Sequence, residues 1–141
     1  MKIKICISTC KDYSSQTIPL LLSTLEKSNV NLQDVYVFEG GHNKEEMQDK
    51  VYKHFFVPHN SFDFTSLIEI TEKHIESDYW LLLHDTCKVG ENFNEKLNSV
   101  ALDKDKISLI PHPSMNIGLY RYHYLLKHKA IINILKNTDV S

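Results

Sequence analysis

The densest chemistry in this chain lies in Ser77-Asp78-Tyr79-Trp80-Leu81-Leu82-Leu83-His84-Asp85-Thr86. An apolar run stops there at three side chains able to bind a metal or make hydrogen bonds. Trp80 to Leu83 is too short for an ordinary helix and is bounded by polar residues. That is the pattern of a strand buried on both faces, as in a parallel sheet covered by helices. In open α/β sheets, ligands sit in the crevice beyond the carboxyl ends of the strands, where His84, Asp85 and Thr86 fall. Asp85 is a carboxylate placed to hold a divalent cation against a phosphate. Its plain alternative is to cap the following turn, and the strand-end position favours the first reading. His84 could ligate manganese or donate to phosphate, with direct ligation the weaker of its two roles. Thr86 could orient Asp85 or a bound water. His112 follows another short apolar run and could reach the same crevice as a late metal ligand beside Asp85.

Strands and helices must alternate to carry that site. Lys2 to Ser8 alternates polar and apolar residues as a first strand, and a polar loop follows. Thr17 is expected as the N-cap of a helix with Pro19 in its first turn and Ile18, Leu21, Leu22 and Leu25 on one face. Asp34 to Glu39 is a second strand, ended by Gly40-Gly41, which permit a sharp turn and close backbone approach. Asn43 to Lys53 reads as a short charged helix and His54 to Val57 as a third strand. A helix capped by Asn60, Ser61 or Asp63 then buries Phe64, Leu67, Ile68, Thr71 and Ile75. A short helix at Phe93 to Val100, a strand at Ile107 to Ile110 and a helix over Leu119 to Asn137 complete the order. The reading is α/β: a single domain over residues 1–141 with a mostly parallel central sheet and helices on both faces.

Composition excludes several other classes. The chain has 141 residues, a net charge of −2, 42% hydrophobic and 24% charged residues, and four each of Gly and Pro. Nothing there suggests electrostatic capture of nucleic acid, and no run approaches a membrane span. Cys6, Cys10 and Cys87 are an odd number without zinc-type spacing, read as free thiols in a cytoplasmic protein. Cys10 follows a strand as a nucleophile can, but no Cys-x-x-Cys or Cys-x₅-Arg pattern accompanies it, so burial is the better reading. The Tyr120-Arg121-Tyr122-His123-Tyr124 stripe could stack on a sugar or base, although core packing explains Tyr120 and Tyr124.

The order of these signals resembles the nucleotide-binding half of a GT-A-type, family-two-like glycosyltransferase, over about residues 2–100 and more loosely 107–125. Ser8-Thr9-Cys10-Lys11 stands where such enzymes carry a Pro-Thr-Tyr-Asn-like turn. Phe38-Glu39-Gly40-Gly41 stands for their Asp-Asp-Gly-Ser-like turn. Asn60-Ser61-Phe62-Asp63 matches their Asn-rich helix entry, and Leu83-His84-Asp85-Thr86 their Asp-x-Asp segment, with both outer aspartates replaced. The resemblance implies a Rossmann-like nucleotide-diphospho-sugar transferase fold, truncated at Ser141. It also implies nucleotide contacts at Ser8, Thr9, Glu39, Asp63, His84 and Asp85, with Glu39 on the ribose or uracil. A divalent cation, Mn or Mg, would be held by Asp85 with His112. The implied activity is transfer of a sugar, expected to be UDP-linked, to a glycan or other hydroxyl acceptor. The alternative is an inactive nucleotide- or sugar-binding module of the same fold, working with a partner chain or a second copy. A receiver- or flavodoxin-like domain is a distant third, since Ser8-Thr9-Cys10 supplies no paired acids.

Overall fold

The computed structural model describes residues 1–109 and 117–137. Their elements run β1 (Ile3–Cys10), α1 (Ser14–Lys27), β2 (Val35–Gly40), β3 (Glu46–Asp49), β4 (Lys53–Phe56), α2 (Thr65–Lys73), β5 (Tyr79–His84), α3 (Phe93–Asn98), β6 (Lys106–Ser108), β7 (Gly118–Arg121), α4 (Tyr122–Lys127) and α5 (Lys129–Ile134). The seven strands form one sheet in the order β3-β4-β2-β1-β5-β7-β6. β4, β2, β1 and β5 are mutually parallel at its centre. The pairs β3–β4, β5–β7 and β6–β7 are antiparallel.

The sheet is therefore mixed, which corrects the expectation of a mostly parallel one. At the β3 edge the cause lies in the connection. A parallel return needs a crossover of a dozen or more residues, whereas a short turn can only reverse the strand. α1 and α2 supply such crossovers around β1 and β5. β3 and β4 are joined by a tight turn in which the Lys50 amide donates to the Tyr52 carbonyl at 2.9 Å.

Alternation along the central strands feeds two cores. Ile5, Ile7, Val35, Val37, Leu81 and Leu83 face one side, with Ile18, Leu21 and Leu25 of α1 and Leu97 of α3. Cys6, Tyr36, Phe38, Trp80 and Leu82 face the other, with Leu67 and Ile70 of α2 and Leu125 of α4. Helices on both faces thus agree with the sequence reading, and one α/β domain results. Trp80 is wholly buried, edge-on to Tyr36 with centroids 5.1 Å apart, and its indole N–H donates to the Ile75 carbonyl at 3.2 Å. A buried indole without that acceptor would carry an unsatisfied donor.

Three local expectations are corrected. Asn43 to Lys53 contains no helix, because Glu46–Asp49 pairs along β4 as the sheet's edge. Pairing with a neighbouring strand overrides weak local preference. The helix expected over Leu119 to Asn137 begins only at Tyr122. Before it, Leu119 and Tyr120 pair with Leu81 and Trp80 in β7, so Tyr120 is core as expected, but from a strand. α1 starts at Ser14, not after Thr17; its N-cap residue is Tyr13, without a side-chain cap bond, and Pro19 lies inside the helix.

Candidate functional site at the strand ends

Parallel register brings the carboxyl ends of β2, β1 and β5 side by side. Thr9 lies opposite Glu39, and Ser8 opposite His84. Asp85, one residue beyond β5, accepts from the Thr9 hydroxyl at 2.8 Å and from the Thr17 hydroxyl at 3.2 Å, both on Oδ2. Oδ1 takes part in neither bond. Thr17 sits in the opening turns of α1, so the carboxylate also faces the positive end of that helix. Thr17 does not cap α1 because it lies inside the helix, four residues past the Tyr13 N-cap; its hydroxyl faces both Asp85 and the Tyr13 carbonyl at 3.1 Å.

Asp85 is half-buried and lines a small cavity of about 80 Å³ with Thr9, Tyr13, Asn60, Phe62 and Asp63. It is neither walled off nor spent on its own backbone. The far wall is the turn before α2. There the Asn60 side-chain oxygen accepts from the Phe62 amide at 3.2 Å, and the Ser61 amide donates to the Thr65 hydroxyl at 3.0 Å. Phe62 has φ +54° and stays 47% exposed. Left-handed backbone at a bulky residue is strained, and here core burial does not offset it; such strain is concentrated at functional sites. Asp63 does not cap α2, whose N-cap position is Phe64.

The other expected contacts divide. Ser8 is buried and committed: its hydroxyl donates to the Asp63 carbonyl at 3.0 Å, accepts from the Ser66 amide at 3.0 Å, and touches the Ser66 hydroxyl. It ties β1 to the start of α2. His84 Nε2 is buried without a hydrogen-bond partner among the described residues, and Asp63 Oδ2 lies 3.5 Å away, too long for a normal bond. Thr86 is exposed. His112 lies outside the described residues. All three cysteines are free, with Cys6 and Cys10 buried. Among the described residues no group of three or more His, Cys, Asp or Glu side chains converges on a metal position. A cation here would take one or two carboxylates, the rest of its shell coming from phosphate and water, as magnesium commonly binds.

Glu39 is not an open acceptor. Its carboxylate is 6% exposed and lies between two imidazoles, His42 Nε2 at 2.6 Å from Oε2 and His54 Nε2 at 3.0 Å from Oε1. Burial pushes its pKa up, but hydrogen bonding from Ser14, His42 and His54 outweighs it and the carboxyl is held below its ordinary value. Burial, only partly offset by Glu39, holds His54 below the usual imidazole value. Sequence reasoning missed both histidines. The Gly40-Gly41-His42 turn was the available signal: Gly41, at φ +91°, returns the chain so that His42 folds over Glu39.

A second buried acid braces the cavity wall. Glu69, 1% exposed, contacts His59 Nε2 at 2.7 Å and Lys73 Nζ at 2.7 Å, and His59 Nδ1 meets the Ser61 hydroxyl at 2.9 Å. Burial raises the Glu69 pKa, but bonds from His59 and Lys73 and their charge prevail and lower it. The direction of all three shifts sets the pH response. An unfolded chain binds protons more readily than the fold at His54 below about pH 6.5 and at Glu39 and Glu69 below about pH 4.3. Between pH 7.5 and 4, stability is therefore expected to be greatest at the upper end, to begin falling as pH drops through the first value, and to fall more steeply below the second. Thermal melts between pH 7.5 and 4 would measure this, and a melting temperature that rises on acidification would contradict it.

The fold and these strand ends define a single α/β domain with a small cavity, lined by Asp63 and Asp85, at the carboxyl edge of its parallel strands. Comparison with family models, curated proteins and solved structures gives no match to any of the three. Among the described residues no helix is long and apolar enough to cross a membrane.

Proposed function

We propose that this chain binds a nucleoside-diphosphate sugar at the carboxyl edge of its sheet and transfers the sugar to a hydroxyl acceptor. The observation that carries the reading is Asp85: a carboxylate beside an open cavity, steadied by Thr9 and Thr17 through one oxygen, with the other left out of those bonds. In this reading Asp85, helped by Asp63, holds a divalent cation that neutralises the diphosphate. Asn60 and the rings of Tyr13 and Phe62 border the rest of the ligand. The donor class and the GT-A-type relationship rest on the order of motifs in the sequence.

Calorimetric titration with UDP-glucose, UDP-galactose and UDP-N-acetylglucosamine, with and without manganese, tests this directly. Manganese-dependent binding followed by release of UDP is the expected result. Binding without turnover would identify a binding module, and the absence of binding to any of the three would remove the proposal.

A further inference from the structure

One set of hydrogen-bonded titratable groups outside the Asp85 cavity is a row that begins inside the fold and ends at its rim. The Tyr52 hydroxyl lies 3.4 Å from His54 Nδ1, His54 Nε2 3.0 Å from Glu39 Oε1, and Glu39 Oε2 2.6 Å from His42 Nε2. His54 is stacked on Phe56, with centroids 4.3 Å apart and planes at 7°. His42 meets the same ring edge-on at 4.9 Å. Neither imidazole can swing away from the carboxylate without losing that packing. Glu39 needs a donor on each oxygen, so each histidine presents Nε2–H to it. That tautomer leaves the second nitrogen of each ring as a lone pair. On His54 it points at Tyr52. On His42, whose side chain is 24% exposed, Nδ1 has no hydrogen-bond partner among the described residues.

We propose that His42 Nδ1 is the proton acceptor of the strand-end site, with Glu39 as its positioning residue; this rests on the transfer reaction proposed above. The acceptor hydroxyl oxygen forms its bond to the sugar's anomeric carbon while the bond from that carbon to the diphosphate oxygen breaks. The electron pair leaves with the diphosphate, and the hydroxyl proton passes to His42 Nδ1. Position agrees with this role. Glu39 pairs with Thr9, and Thr9 bonds Asp85, so the strands that lead to the two acids, β2 and β5, stand about two strand spacings, ~10 Å, apart on either side of β1. The Lys11 amide donates to the Gly40 carbonyl at 2.9 Å, so the loop that carries Tyr13 into the cavity also borders the His42 turn. The charged and titratable groups around the pair are Glu39 on β2, His54 on β4, and Lys50 and Tyr52 in the turn before β4.

The test is UDP release from UDP-glucose with water as acceptor, measured against pH for the wild type and for His42→Gln. The side chain is part-exposed, so this variant is expected to fold. The expected result is a loss of about 100-fold in kcat, disappearance of the acid limb of the pH profile, and an unchanged KM for UDP-glucose. Nitrogen-15 spectra of the imidazoles should show His42 held as Nε2–H in the wild type and as a mixture of tautomers in Glu39→Gln. Wild-type kcat with an intact acid limb in His42→Gln would overturn this role while leaving the proposed function standing. Binding without turnover by the wild type would also overturn it, and failure to bind UDP-glucose would take both readings down together.

Discussion

Asp85→Asn is expected to weaken manganese-dependent UDP-sugar binding by about 100-fold, while leaving the fold in place. The two effects separate because the two oxygens have separate duties. Oδ2 receives the Thr9 and Thr17 hydroxyls, and an asparagine oxygen still accepts from both, though more weakly than a carboxylate. What vanishes is the full negative charge at the cavity, and a hard cation depends on that charge for its affinity. A hundredfold loss corresponds to about 2.7 kcal/mol. The stability change should stay within about 1 kcal/mol, the usual value of one charge at a helix amino terminus. Titration of the variant beside a thermal melt measures both. An unchanged manganese dependence would show that Asp85 serves only to seat α1, and the reading of the cavity would fail with it.

Gly40→Ala is expected to be the most damaging small substitution in the strand-end region, costing about 3 kcal/mol or more. A β-carbon at Gly40 would lie 2.3 Å from the His59 carbonyl oxygen and 2.9 Å from the Asn60 α-carbon. Both obstacles are backbone and cannot rotate aside. The segment that would have to move is itself fixed, because His59 is held by Glu69 and Ser61 by Thr65. In a domain of this size, 3 kcal/mol corresponds to roughly a 10 °C drop in melting temperature. Gly90→Ala is the matched control: nothing lies within 4 Å of its added β-carbon, and its effect should be under about 0.5 kcal/mol. Urea denaturation of the two variants decides the matter, and equal midpoints would sink it. Since Asn60 lines the cavity, a folded Gly40→Ala protein should also bind its ligand more weakly.

The parts of this protein legible in the sequence are those that short-range periodicity encodes. The alternation in β1, the apolar run of β5 and the i, i+3, i+4 spacing of Ile18, Leu21 and Leu25 describe faces that must be buried wherever the elements lie. They were enough to place Thr9 and Asp85 at strand ends and to predict helices on both faces. The edge strand β6 was legible as the apolar run at Ile107, but the opposite edge, β3, was not. Glu46–Asp49 carries no β-branched residue and becomes a strand only because β4 offers it an unpaired edge. Tyr120 fits a helical pattern equally well, and only its pairing with Trp80 puts it in β7.

The site divides along the same line. Residue order alone determined which carboxylate ends the buried strand, because an apolar run followed by His-Asp-Thr has one buried part and one place to emerge. Only the tertiary structure decided what each acid does there. Glu39 and Asp85 end neighbouring stretches of similar character, yet two imidazoles from separate segments enclose the first, while two threonine hydroxyls leave the second beside a cavity. A carboxylate's burial, partners and charge are set by groups distant in the chain, and local sequence carries no record of them.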